Sequence, residues 1–273
     1  MDISILNNAF FQARLKVNRA DRHFQEAQAW FKGYIESDFC KLIEERDPET
    51  GGQSFRVEAA PIPPDLVLAI GDTFHSLSCA IDYVMTGMAR AAGISAARVG
   101  FPTDETRQAL RQSFIAPKKA GAKDPPKRRI MKTFPAFVML LLQSIKPYRG
   151  GNFLLWEVRK VDNIDKHNLI VPSVTISELR GVSLLDKTYN NSFGSVNAKV
   201  GAGGRVNLVM YNNPGGKLKV TNKGQASASI TFAQSMEVFP GESVFPTLLQ
   251  CIQAVDQAIS LIERVGTKPY IAS

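Results

Sequence analysis

Three cysteines, three histidines and two tryptophans in 273 residues leave little material for the usual ways a sequence announces its chemistry. Cys40, Cys79 and Cys251 are odd in number, widely separated and free of C-x-x-C pairing. That excludes a disulfide framework and a thiolate metal site of ordinary spacing, and a reduced, cytoplasmic chain is expected. The longest apolar run, AFVMLLL at 136–142, falls far short of the ~20 residues that span a bilayer. Asp2 stands where a secretory signal carries Lys or Arg, and no apolar segment follows it, so no membrane association is expected. There is no G-x-x-x-x-G-K-[ST] or G-x-G-x-x-G phosphate loop, and GAGGR at 201–205 has no predicted helix behind it. Local signatures assign no Ser-His-acid or Cys-His-Asn arrangement, and no cofactor is implied.

What is present is the composition of a folded protein, 44% hydrophobic and 21% charged, long enough for one good core with a smaller appended part. The net charge of +8 is local. Arg107, Arg111, Lys118, Lys119, Lys123, Lys127, Arg128, Arg129 and Lys132 face a single acid, Asp124, so 107–132 carries 9 − 1 = +8 and the remainder is neutral. The stretch APKKAGAKDPPKRR has no apolar periodicity and reads as an exposed, mobile loop. Lys118, Lys119, Lys123, Lys127, Arg128 and Arg129 are the candidate nucleic-acid contacts. With no aromatic interleaved to stack bases, a merely solvated loop is the simpler reading.

Apolar periodicity predicts helices over 5–36, 64–92, 104–114, 135–146, 153–168 and 243–265, with a β-hairpin near 39–59 turning at DPETGGQ. After 169 the composition shifts to Thr, Val, Ser, Asn and Gly, and strands are predicted at 169–176, 206–211, 217–221 and 226–232. The expected class is α+β: a helix-dominated bundle of about five helices (1–168, hairpin included), an inserted antiparallel β portion (169–240), and a C-terminal helix (241–273) packing back on the bundle.

The helix over 64–92 has two faces. Leu66, Ile70, Phe74, Leu77, Ile81, Val84 and Met88 fall within roughly 80° of one another, a core stripe. Nearly opposite lie Asp72, His75, Cys79 and Asp82, where a surface helix would carry Lys, Glu or Gln. An acid, an imidazole, a thiol and an acid can titrate, ligate or hydrogen-bond. Asp72 precedes His75 by one turn and can fix its tautomer; the same pairing is also how a structural histidine is satisfied. In 153–168 the inward stripe of Leu154, Val158 and Val161 continues to Asp165, with Asp162 at its edge. A carboxylate facing a core needs a partner, and His75, Lys166, Arg159 or backbone N–H groups are available. Asp165 and His75 are therefore expected in one polar cluster between helices. His23 lies off its helix's stripe and reads as a flank residue. A metal site from His75, His167 and two aspartates lacks the short fixed ligand spacing of known motifs, and no metal is assigned. Cys79, near two acids, is a poor nucleophile.

RADRH in the first helix, PPDLVLAIGDTFHSLSCAIDYV, SIKPY and LWEVRKVDNIDKHN together resemble a family of uncharacterised bacterial and phage-associated proteins, over roughly 6–168. The matching residues are Gly71, Asp72, His75, Ala80, Asp82, Asp165, Lys166 and His167, with Trp156 as a packing residue. The family's central helix is similar, more distantly, to HEPN-type bundles, in which an Arg and a His four to six residues apart cleave RNA across a dimer. Family members carry that Arg and His where this chain has Ser78 and Tyr83. The resemblance thus implies a HEPN-like bundle without its nuclease motif. The leading expectation is a cytosolic, non-enzymatic interaction or nucleic-acid-associated protein, with a second copy of the chain among its candidate partners. In it Asp82, Asp165 and Lys166 form a polar seam around His75. The alternative is a HEPN-like ribonuclease or metal-dependent hydrolase using His75, Asp72 and His167.

Overall fold

The computed structural model describes residues 3–46, 53–94, 99–115, 124–187, 191–200, 205–206 and 218–267. Its frame is a pair of long antiparallel helices, α1 (Ile3–Glu36) and α2 (Pro64–Ala91), joined through a hairpin of β1 (Cys40–Arg46) and β2 (Gln53–Ala59). The α1 stripe is rich in alanine, with Ala9, Ala13, Ala20 and Ala27 all buried, so α2 can approach closely. At Gly87 the approach is tightest. A Cβ there would lie 2.2 Å from that of Ala9. The predicted core face of α2, Leu66 through Met88, is buried as expected.

Helices α4 (Pro126–Thr133) and α6 (Phe153–Asp165) pack on α2, α3 (Arg107–Ile115) and α5 (Pro135–Leu140) pack on α4, and α7 (Val244–Leu261) packs back on α1, α2 and α6. Arg14 on α1 ties α7 through Asp256 (3.3 Å) and the π-turn that follows it through Glu263 (2.6 Å); Phe245 packs against Phe24 and Phe31. The fold is α+β and helix-dominated, with seven α-helices among the described residues. None of them is long and apolar enough to cross a membrane.

The β portion departs from expectation in its details. Strand β3 (Ser173–Asp186) runs ten residues past the predicted end, and β4 (Asn191–Lys199) has no predicted counterpart. Glu178, Arg180 and Gly181 break the alternation within β3; the register shifts there, and Gly181 takes a φ of +75°. In β4, Asn, Ser and Gly give little β-propensity, and pairing with β3 supplies the order instead. Along the other edge of β3 lie β6 (Leu218–Asn222) and β7 (Gln225–Thr231), in effect one strand interrupted at Gly224. A side chain at Gly224 would strike the Arg180 carbonyl at 2.2 Å, and its φ is +72°. Of the predicted strand 206–211, only Val206 is described, in the two-residue β5 (Arg205–Val206).

The hairpin near 39–59, expected with the helical core, packs with the β portion. Strand β2 pairs with β5, and Phe39, Phe55 and Val57 share a second core with Ile176, Leu179 and Val182. Gln53 caps the junction like a strand residue, donating to the Leu218 carbonyl (2.7 Å) and accepting its N–H (2.8 Å). Such a contact joins residues 165 apart, which no local pattern reveals.

Replacing Gly87 with Ala forces α1 and α2 apart and is expected to cost about 1–3 kcal/mol in urea unfolding. Gly33 on α1 has nothing within 4 Å of where a Cβ would sit, so Gly33→Ala should instead gain about 0.5 kcal/mol.

Candidate functional site

Helical geometry points Asp72, His75 and Cys79 outward from α2, on the side where α6 crosses. The residue of α6 that meets His75 is Asp162. Its Oδ1 lies 2.9 Å from His75 Nδ1, its Oδ2 accepts Lys166 Nζ at 2.7 Å, and Ser78 donates a third hydrogen bond. The Asp162 side chain is 4% exposed while that of His75 is 47% exposed, so the carboxylate is the buried anchor and the imidazole its open edge. Burial alone would push the Asp162 carboxyl up; the bonds from Lys166, Ser78 and His75 outweigh it and hold the group below its ordinary value. An ionised carboxylate can only accept, so His75 Nδ1 donates, and in the neutral ring Nε2 is the acceptor. Nε2 faces Cys79 Sγ at 3.5 Å.

The expected partner, Asp165, sits beside this contact rather than in it. Its carboxylate packs on Gly71, where a Cβ would lie 2.5 Å from Oδ2, and Oδ1 accepts the Ile170 N–H at 3.3 Å. Burial, reinforced by the charges of Asp72 and Asp162, raises its pKa, and the charge of His75 acts the other way. Asp165 and His75 thus share one electrostatic neighbourhood, while the direct bond belongs to Asp162, one turn earlier. Asp82 is used separately: it pairs with Arg159 (2.5 Å) and accepts the Phe101 N–H (2.7 Å). Asp72 stays exposed without a bond to His75. The ring of His167, on the exit turn of α6, joins no hydrogen bond among the described residues. Lys166 is in the cluster.

Two other expectations change. His23 is buried rather than a flank residue. Arg19 Nε donates to its Nε2 (3.0 Å) and its Nδ1 bonds Glu26 (2.8 Å), which satisfies the ring within α1. Lys127, Arg128 and Arg129, expected on a solvated loop, belong to α4. Pro125 and Pro126 start that helix and buried Ile130 anchors it. Lys127 lies over the Phe114 ring at 6.0 Å and burial lowers its pKa; Arg128 pairs with Asp124, and Arg129 donates to the Gly93 carbonyl (3.0 Å). Lys118, Lys119 and Lys123 lie outside the described residues.

Chemically the cluster is better furnished for holding than for attack. Burial raises the Cys79 thiol, and the charges of Lys16 and Lys166 oppose this without reversing it. Among the described residues, no group of three or more His, Cys, Asp or Glu side chains is placed to hold a metal ion. Ser78 and Tyr83, where the resemblance would put Arg and His, are a buried donor to Asp162 and an exposed ring. Comparison with family models, curated proteins and solved structures finds no match to the chain.

Asp162→Ala strands three donors and should cost about 1–3 kcal/mol, whereas His75→Ala leaves Lys166 and Ser78 on the carboxylate and should cost less than about 1 kcal/mol. Because the Asp162 pKa is depressed, its contribution is present above the unfolded value near about 3.9 and is lost as pH falls through the folded one. The Asp162→Ala penalty in thermal unfolding should therefore shrink below about pH 4.

Proposed function

We propose that this protein is a cytosolic, non-enzymatic interaction module that receives an anionic partner, nucleic-acid phosphate foremost, where α1, α2 and α6 meet. The observation that carries this reading is the set of His75. Its Nδ1 is tied to a buried carboxylate, and its ring stands half exposed beside Lys166. Lys16 on α1 acts on the same spot through its charge at Cys79. Asp82 is taken up by Arg159 and Asp162 lies buried behind the imidazole, so Lys166 and Lys16 set two basic charges near the ring against one exposed acid, Asp72. An imidazole fixed in this way, with two ammonium groups in its neighbourhood, is suited to contact a phosphate. Burial favours the protonated thiol, and among the described residues that thiol is what His75 Nε2 faces. The lysines and arginines of 107–132 supply long-range attraction to the same class of partner.

Fluorescence anisotropy with a labelled single-stranded RNA of mixed sequence tests the proposal. Wild type should bind with an affinity that falls with salt, and Lys16→Ala with Lys166→Ala should flatten the salt slope by about one unit per lost contact. The RNA should be recovered intact. Absence of salt-dependent binding would overturn the reading. So would RNA cleavage that disappears in His75→Ala at an unchanged melting temperature, which would instead support a HEPN-like ribonuclease.

A further inference from the structure

A second cleft lies on another side of α6, where the turn between β7 and α7 crosses it. Its cavity is about 210 Å³, small for a drug-like ligand and adequate for a few heavy atoms. Phe153, Leu154, Phe239 and Pro240 give it apolar walls, and Glu157, with Glu242 and Thr247, gives it polar ones.

Three features of the cleft are unexplained by the fold alone. Glu157 Oε2 is shut off from solvent and meets no hydrogen-bond partner among the described residues, while the carboxyl receives only the backbone N–H of Phe239. A buried, unmatched oxygen of this kind costs free energy that no described neighbour returns. Phe239 itself takes a φ of 53°, a strained setting for an aromatic residue, and is locked there by the Glu242 N–H on its carbonyl (3.0 Å). Phe153, in the wall of the cleft, is 48% exposed. The nearby cations are committed elsewhere: Lys160 pairs with Glu237 and lies over Trp156, and Arg149 lies over the same ring.

We infer that this cleft binds a small organic cation, a primary ammonium on a short apolar body, with Glu157 as its counter-charge. The ammonium supplies the donor that Glu157 lacks, exposed Glu242 adds a second negative charge, and the alkyl part lies along Phe153 and Pro240.

Binding is coupled to a proton. Burial lifts the free Glu157 carboxyl to about 7; the Phe239 N–H, Arg149 and Lys160 pull it down, and Glu242 pushes it up. Cys251, buried on α7, is a further titratable group near it, and its thiol is raised and stays neutral. Below neutrality the cation therefore displaces the carboxyl proton to solvent; above it, the site is already ionised.

Calorimetric titration with n-butylammonium chloride in non-amine buffers tests this. Affinity should be about tenfold higher at pH 8 than at pH 6, with a proton released to buffer at pH 6. The neutral isostere n-butanol should not bind. Glu157→Gln should lose both the binding and its pH dependence, and exposed Phe153→Ala should weaken binding without lowering the melting temperature. No saturable binding of n-butylammonium by wild type, or equal binding by Glu157→Gln, would overturn the inference.

Discussion

The arrangement of this protein's helices turns on one buried carboxylate. Asp162 sits at the α2–α6 contact almost without exposure, and a charge in that position is tolerable only when fully matched. Three donors match it: Lys166 from its own helix, and Ser78 and His75 from α2. Those bonds fix the rotation of α6 against α2 and hold the His75 ring in one orientation. The close α1–α2 crossing at Ala9 and Gly87 provides the rigid base on which this contact is built.

Helix α6 carries two carboxyl groups that burial treats alike and their neighbours treat oppositely. Burial is the largest influence on both and raises both. Asp162, with two charged or chargeable donors and a hydroxyl, is held ionised. Glu157, with one backbone N–H and another acid nearby, keeps its proton up to about neutral pH. The number and charge of the donors decide the sign of the shift, and depth alone does not. The same reasoning separates the histidines. His23 is closed off between Arg19 and Glu26, His167 on its turn bonds none of the described residues, and His75 combines a fixed ring with an open edge.

Much of this is legible in the sequence, and the gaps have physical causes. The 3.6-residue stripes of α1, α2 and α7 are long, so their faces and their mutual packing can be read directly. The polar stripe Asp72–His75–Cys79 is visible because nothing on an ordinary surface helix favours those residues. Its partner lies one turn from the expected place, at Asp162 instead of Asp165, since a projected stripe does not show which carboxylate the neighbouring helix presents. Strand β4 is hidden by its low β-propensity, and the C-terminal half of β3 by the register shifts around Gly181, which break the period-two signal that strands need. The hairpin's attachment to the β portion, and the basic residues of α4 used as packing groups, depend on contacts between distant segments. Glu157 gives no sequence signal at all, being one acid in a charged helix until the Phe239 turn folds over it.

The claim that Asp162 organises the site is tested most directly by long-range ¹H–¹⁵N correlation of the His75 ring, assigned by comparison with His75→Gln. The account predicts that the neutral imidazole carries its proton on Nδ1, with Nε2 bare, and that Asp162→Asn disturbs this preference. A neutral ring protonated on Nε2, with a tautomer indifferent to Asp162→Asn, would contradict it.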